Sequence, residues 1–167
     1  MPLQENFPQQ FYVSVITEKQ PLTNHPWLKE RWQVLGIALA HEKQTMQRLP
    51  MRITDHSEQY LWQGFMLQLH RDEAGSYYHN LLSDTPKIFI VCRPSSESAE
   101  PAPFLVTLSY DEASAYLEAE AEVYNVPIPP EIYRWAEQYV LTHYVPEQPK
   151  KRRRKDWTAE ENDEPKT

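Results

Sequence analysis

The sequence predicts an α+β fold, about six mostly antiparallel strands forming a sheet or partial barrel, followed by two helices and a charged tail. Three observations carry that prediction. Period-2 hydrophobic alternation fills the first two thirds of the chain, as in Phe11, Val13, Val15 and Thr17. Helical spacing appears only later, from a capping signal at Ser109 and a stripe beginning at Ile132. Fifteen Pro against three Gly favour extended segments and stiff loops. Strands first and helices afterwards is the α+β pattern.

The elements follow in order. Residues 1–9 are polar and read as a flexible start, with one globular domain over 10–147 and a disordered charged tail over 148–167. Phe11 to Thr17 is the first strand and Arg31 to Ala40 the second, joined by a loop through Trp27. In the second strand Trp32, Val34, Gly36 and Ala38 share one face by strict alternation. His41 to Glu58 lacks clear periodicity and is expected to be irregular, with one short strand around Arg52 to Thr54.

Leu61 to His70 alternates again, placing Leu61, Phe65, Leu67 and Leu69 on one face. Arg71 to Gly75 is expected to turn a hairpin, with Tyr77 to Leu82 as its returning strand. Lys87 to Arg93 is the most hydrophobic short run and hence a central strand, and Phe104 to Leu108 is another. Ser109 and Glu112 make a capping box ahead of Ala113, Tyr116 and Leu117. Glu118, Glu120 and Glu122 extend its solvated face, and Val126 to Pro130 is an extended connector. Pro130 then starts a helix whose face is Ile132, Trp135, Ala136, Tyr139, Val140 and His143, and Pro146 stops it.

Composition excludes several functions. With three Gly there is no phosphate cradle or dinucleotide fingerprint, and no Ser stands in Gly-x-Ser-x-Gly. Cys92 is the sole cysteine, so no internal disulfide can form, and its hydrophobic strand makes it an inert small hydrophobe. The six His show no metal-ligand spacing, and no metal or other cofactor is expected. Nothing supplies a nucleophile with its base, so the chain is read as a non-enzyme. No apolar run is long enough to span a bilayer, and residues 1–20 lack a basic start followed by an apolar core. The cytoplasm is the expected location.

Two features suggest binding. Trp27, Arg31 and Trp32 form a compact aromatic and cationic cluster. If 27–31 makes a helical turn, Arg31 can stack on Trp27; the competing expectation is that Trp32 fills the core while Trp27 pins the loop to it. Lys150, Lys151, Arg152, Arg153, Arg154 and Lys155 form a hexabasic run beside Trp157 in a chain of net charge −7. Such a run steers a protein partner. A single block without interleaved aromatics or a basic globular face is weak evidence for nucleic acid. As an alternative, a small ligand (pterin, nucleotide or metal) would sit in the mouth of the partial barrel, held by His70, His79 and Arg93, the two histidines meeting across the expected hairpin.

An ordered series of segments carries a family resemblance. It comprises Asn24 to Trp32, Tyr60-Leu-Trp-Gln-Gly64, Leu69-His-Arg-Asp-Glu73 running into Tyr77-Tyr-His-Asn-Leu81, and Pro86 to Arg93. Val106 to Ala113, then Val126 to Ile132 with the following helix and basic tail, complete it. Through these, over roughly residues 11–157, the chain resembles the family called domain of unknown function 3305. The resemblance transfers no catalytic residue. It implies a genomic setting beside molybdenum-dependent formate dehydrogenases and their maturation factors, and hence an accessory role with one of those proteins as partner. That is association, not mechanism.

Overall fold

The computed structural model describes residues 9–93 and 99–146. Seven strands and three α-helices appear among them, in two antiparallel sheets. The strands are β1 (Gln10–Pro21), β2 (Glu30–Ala40), β3 (Gln47–Ile53), β4 (Glu58–Gln68), β5 (Lys87–Arg93), β6 (Ala102–Thr107) and β7 (Glu122–Pro127). The helices are α1 (Ala74–Leu82), α2 (Tyr110–Leu117) and α3 (Pro130–His143). The first sheet has the order β2-β1-β4-β3 and the second β6-β5-β7, so β1, β4 and β5 are interior. The α+β expectation holds, with one more strand and one more helix than the sequence suggested.

The two sheets share one core. Val13, Val15, Phe65 and Leu67 of the first sheet join Ile88, Ile90 and Cys92 of β5 in one buried cluster with Ile132, Trp135 and Val140 of α3. The opposite face of β5, Phe89 and Val91, is covered by Ala113 of α2 with Phe104 and Tyr116 around it. A strand buried on both faces needs an unbroken apolar run, which Ile88 to Cys92 supplies. Aromatic contacts lock α1 and α3 in place: Tyr77 meets Tyr139 edge-on at 6.2 Å, and Phe11 meets Trp135 at 4.9 Å.

Two β-bulges overturn the expected side-chain faces. Between Val13 and Val15, Ser14 of β1 faces both Gln63 and Gly64 of β4. The extra residue flips the strand, so Trp62 packs into the same core as Phe65 and Leu67 while Leu61 takes the outer face. A second slip at Leu35 puts Val34, Ile37 and Leu39 against the core, and Gly36 outward opposite Ile16.

The hairpin expected at 71–82 is not formed. A 3₁₀ turn (Arg71–Glu73) leads into α1, whose buried residues Ala74, Tyr77 and Leu81 lie on one helical face. Buried with them, the Asn80 amide donates to Lys87 O (2.7 Å) and Leu108 O (2.9 Å) and accepts from Lys87 N (3.0 Å). α2 stops at Leu117, and Glu120 takes φ 64° in the turn that follows. Glu122, expected on the helix, instead opens β7, whose last two residues, Val126 and Pro127, are the start of the expected connector. β3 is longer than expected and wholly exposed.

The two expected helix starts, at Ser109 and Pro130, form where the sequence places them. Ser109 Oγ accepts from Glu112 N at 3.0 Å. The return arm passes through Thr107, whose Oγ1 accepts from Ser109 N and lies 3.2 Å from Glu112 Oε2. Pro130 opens α3.

Candidate functional site

The β1–β2 connection is built to present its tip. Leu22 N donates to Lys29 O at 2.9 Å, closing the loop. Inside it, the His25 side chain accepts at Nδ1 from both Trp27 N (3.3 Å) and Leu28 N (3.0 Å). An imidazole thus replaces the strand partner that those two amides lack. The result is a bent segment in which Trp27 is 87% exposed and Leu28 54% exposed. No helical turn forms at 27–31, so neither the Trp27–Arg31 stack nor the pinning of the loop by Trp27 is realised.

Arg31 and Trp32 separate as well. They are adjacent in β2, and successive strand residues point to opposite faces. Trp32 is half-buried on the inner face, 6.0 Å from the Tyr60 ring, with Lys19 Nζ 6.0 Å from its own ring. Its Nε1 is buried without a hydrogen-bond partner among the described residues. The arginine that stacks on aromatics here is Arg48 of β3, at 3.7 Å from the Tyr60 ring and 5.7 Å from Trp62. Glu100 holds Arg48 through Nε (2.7 Å) and Nη2 (3.0 Å). Sequence spacing could not reveal this pairing, because Arg48 and Glu100 come from different sheets' surroundings.

On the outer face of the first sheet, Glu18 is buried among three amides. Gln20, Gln33 and Gln59 donate to its carboxylate at 2.6, 2.9 and 2.9 Å. The Gln59 hydrogen bond chiefly holds the carboxyl below its ordinary value, against an opposing push from burial. A lowered folded value means stability present above the unfolded carboxyl pKa and lost as pH falls through the folded one. Glu18→Gln should therefore lose less stability than the wild type between about pH 7 and about pH 3, measured by urea unfolding at the two pH values.

The three polar residues of the small-ligand alternative lie on different elements in the described structure. His70 is exposed just after β4, and its backbone N donates to Tyr77 Oη at 3.1 Å. His79 is exposed on α1, and without the hairpin it does not face His70 across a strand pair. Arg93 ends β5, its guanidinium 4.7 Å from the Phe104 ring. Ser76, His79 and Asp111 do line one groove. Ser76 Oγ is already engaged by Ser109 Oγ (3.1 Å) and Asp111 N (3.4 Å), which does not make a nucleophile–base pair with His79.

That groove, about 450 Å³, adjoins a larger one of about 760 Å³ through the shared residues Thr85, Lys87 and Asn125. The larger is walled by Pro86, Pro127, Ile128, Pro130 and Tyr133, with Arg134 beside them. Its residues come from two separate stretches of chain, 85–87 and 125–134, so no local motif announces it.

Cys92 is buried, and burial pushes its thiol up to about 12, the value of a packing residue rather than a nucleophile. Among the described residues, no group of three or more His, Cys, Asp or Glu is placed to hold a metal ion. No described helix is long and apolar enough to cross a membrane. The hexabasic run 150–155 lies outside the described residues.

The family model described as protein of unknown function (DUF3305) matches residues 12–154. No curated protein and no solved structure gives a match.

Proposed function

We propose that this chain, which belongs to the DUF3305 family, is a non-catalytic protein-binding factor that docks its client through the tip of the β1–β2 loop. The observation that carries the reading is Trp27, a large apolar side chain left 87% exposed on a loop whose backbone is tied by His25. A rigid aromatic anchor on a preorganised loop binds without a large ordering cost. Arg31 and Trp32 flank the tip without joining it, and Lys150 to Lys155 would steer the encounter from the tail.

By resemblance, the proposed client is a subunit or maturation factor of a molybdenum-dependent formate dehydrogenase, met in the cytoplasm. The test is an affinity pull-down with mass spectrometry at moderate salt, comparing wild type with Trp27→Ala, Arg31→Ala and a version ending at Gln148. Enrichment of such a subunit or factor by wild type, strongly reduced by Trp27→Ala with an unchanged circular dichroism spectrum, is the expected result. Equal recovery by wild type and Trp27→Ala contradicts the anchor role. Recovery of the protein alone, in every version, contradicts stable protein binding.

A further inference from the structure

The larger groove lies between the start of β5, the end of β7 and the first turn of α3. It is mostly apolar, yet two cations, Lys87 and Arg134, border it. Neither makes an ion pair among the described residues, although the chain as a whole is acidic at −7. An apolar trough with two unneutralised cations at its rim fits an apolar side chain flanked by carboxylates.

The chain carries such a segment itself. Asp156-Trp157-Thr158-Ala159-Glu160-Glu161 sets one indole between acidic residues, and it lies outside the described residues. Its reach is sufficient. α3 has 14 residues and is about 21 Å long. The eleven residue-to-residue steps from Pro146 to Trp157 span up to about 36 Å when extended. A chain returning from Pro146 toward the start of α3 passes its exposed side. Val145 (80% exposed) and Leu141 (71% exposed) offer uncovered apolar surface there, and Glu137 and Glu131 offer charge opposite to the basic run.

We propose that segment 156–161 docks in its own chain's groove, with the Trp157 indole against Pro127, Ile128 and Tyr133 and its carboxylates beside Lys87 and Arg134. Tethering makes the encounter intramolecular, at an effective concentration on the order of millimolar, so a modest intrinsic affinity is enough. The inference does not depend on the role given to Trp27.

The test uses the full chain with Thr158→Cys carrying a maleimide nitroxide. The buried Cys92 is protected from the reagent by its surroundings. In NMR spectra of dilute protein, the amide signals of Lys87, Asn125, Ile128 and Arg134 are expected to lose intensity relative to the reduced nitroxide. Adding Trp157→Ala or Arg134→Glu to the same chain should restore them. Undiminished signals at those four residues overturn the proposal. So does the same loss when isotope-labelled protein without nitroxide is mixed with nitroxide-bearing protein, because that places the segment on a second copy.

Discussion

Gly64→Ala is expected to lower stability by about 3 kcal/mol, and the melting temperature by roughly 10 °C. Gly64 sits in the β4 bulge at φ 100°, where an L side chain is strained whatever the space around it. Space is also lacking. A Cβ would stand 2.7 Å from Met46 Cα, 2.8 Å from Met46 N and 2.7 Å from Met46 Sδ. The sulfur can swing aside, but the backbone of Met46 moves only if the β2–β3 connection moves with it. The bulge also sets which β4 residues face the core, so relieving the clash threatens the placement of Trp62 and Phe65. Gly36→Ala is the control. It meets nothing within 4 Å and has no positive φ, so its effect should stay within about 0.5 kcal/mol. Urea unfolding of the two variants checks the contrast, and equal effects would refute the bulge argument.

Asn80→Ala should cost a similar amount, about 3 kcal/mol, for a different reason. Its amide serves three backbone groups, Lys87 N, Lys87 O and Leu108 O, joining α1 to the start of β5 and the end of β6. Alanine leaves those groups without the partner that burial demands. Leu82→Ala, on the same helix but exposed, should change stability far less. Hydrogen exchange adds a local readout. The Lys87 amide should exchange faster in Asn80→Ala relative to amides at the centre of β5, and unchanged protection would show that another group replaces Asn80.

The same two residues show where the sequence was opaque. Asn80 is polar but buried, so the face Ala74, Tyr77, Asn80 and Leu81 does not read as an apolar stripe, and Tyr77 to Leu82 passes for an aromatic strand. Gly64 adds one residue to a strand, and one residue exchanges the two faces of everything beyond it. β3 carries Pro50 and no buried residue, so it gives no alternation to read. By contrast β1, β5 and α3 were legible, because burial there imposes a regular period.

The site was legible only in part. Trp27 stood out by type, but linear proximity to Arg31 and Trp32 is not spatial proximity across a pleated strand. The His25 bridge to Trp27 N and Leu28 N had no sequence signal beyond a histidine two residues before a tryptophan. The larger groove needed the tertiary structure, since residues 85–87 meet residues 125–134 only through the β5–β7 pairing.

A client that docks on the β1–β2 tip must shield the backbone of that loop from solvent. Hydrogen exchange by mass spectrometry on the full chain, with and without the captured client, measures that shielding. Added protection is expected in peptides covering 22–29, and its loss in Trp27→Ala. Protection confined to other elements, with 22–29 exchanging as in the free protein, would contradict it.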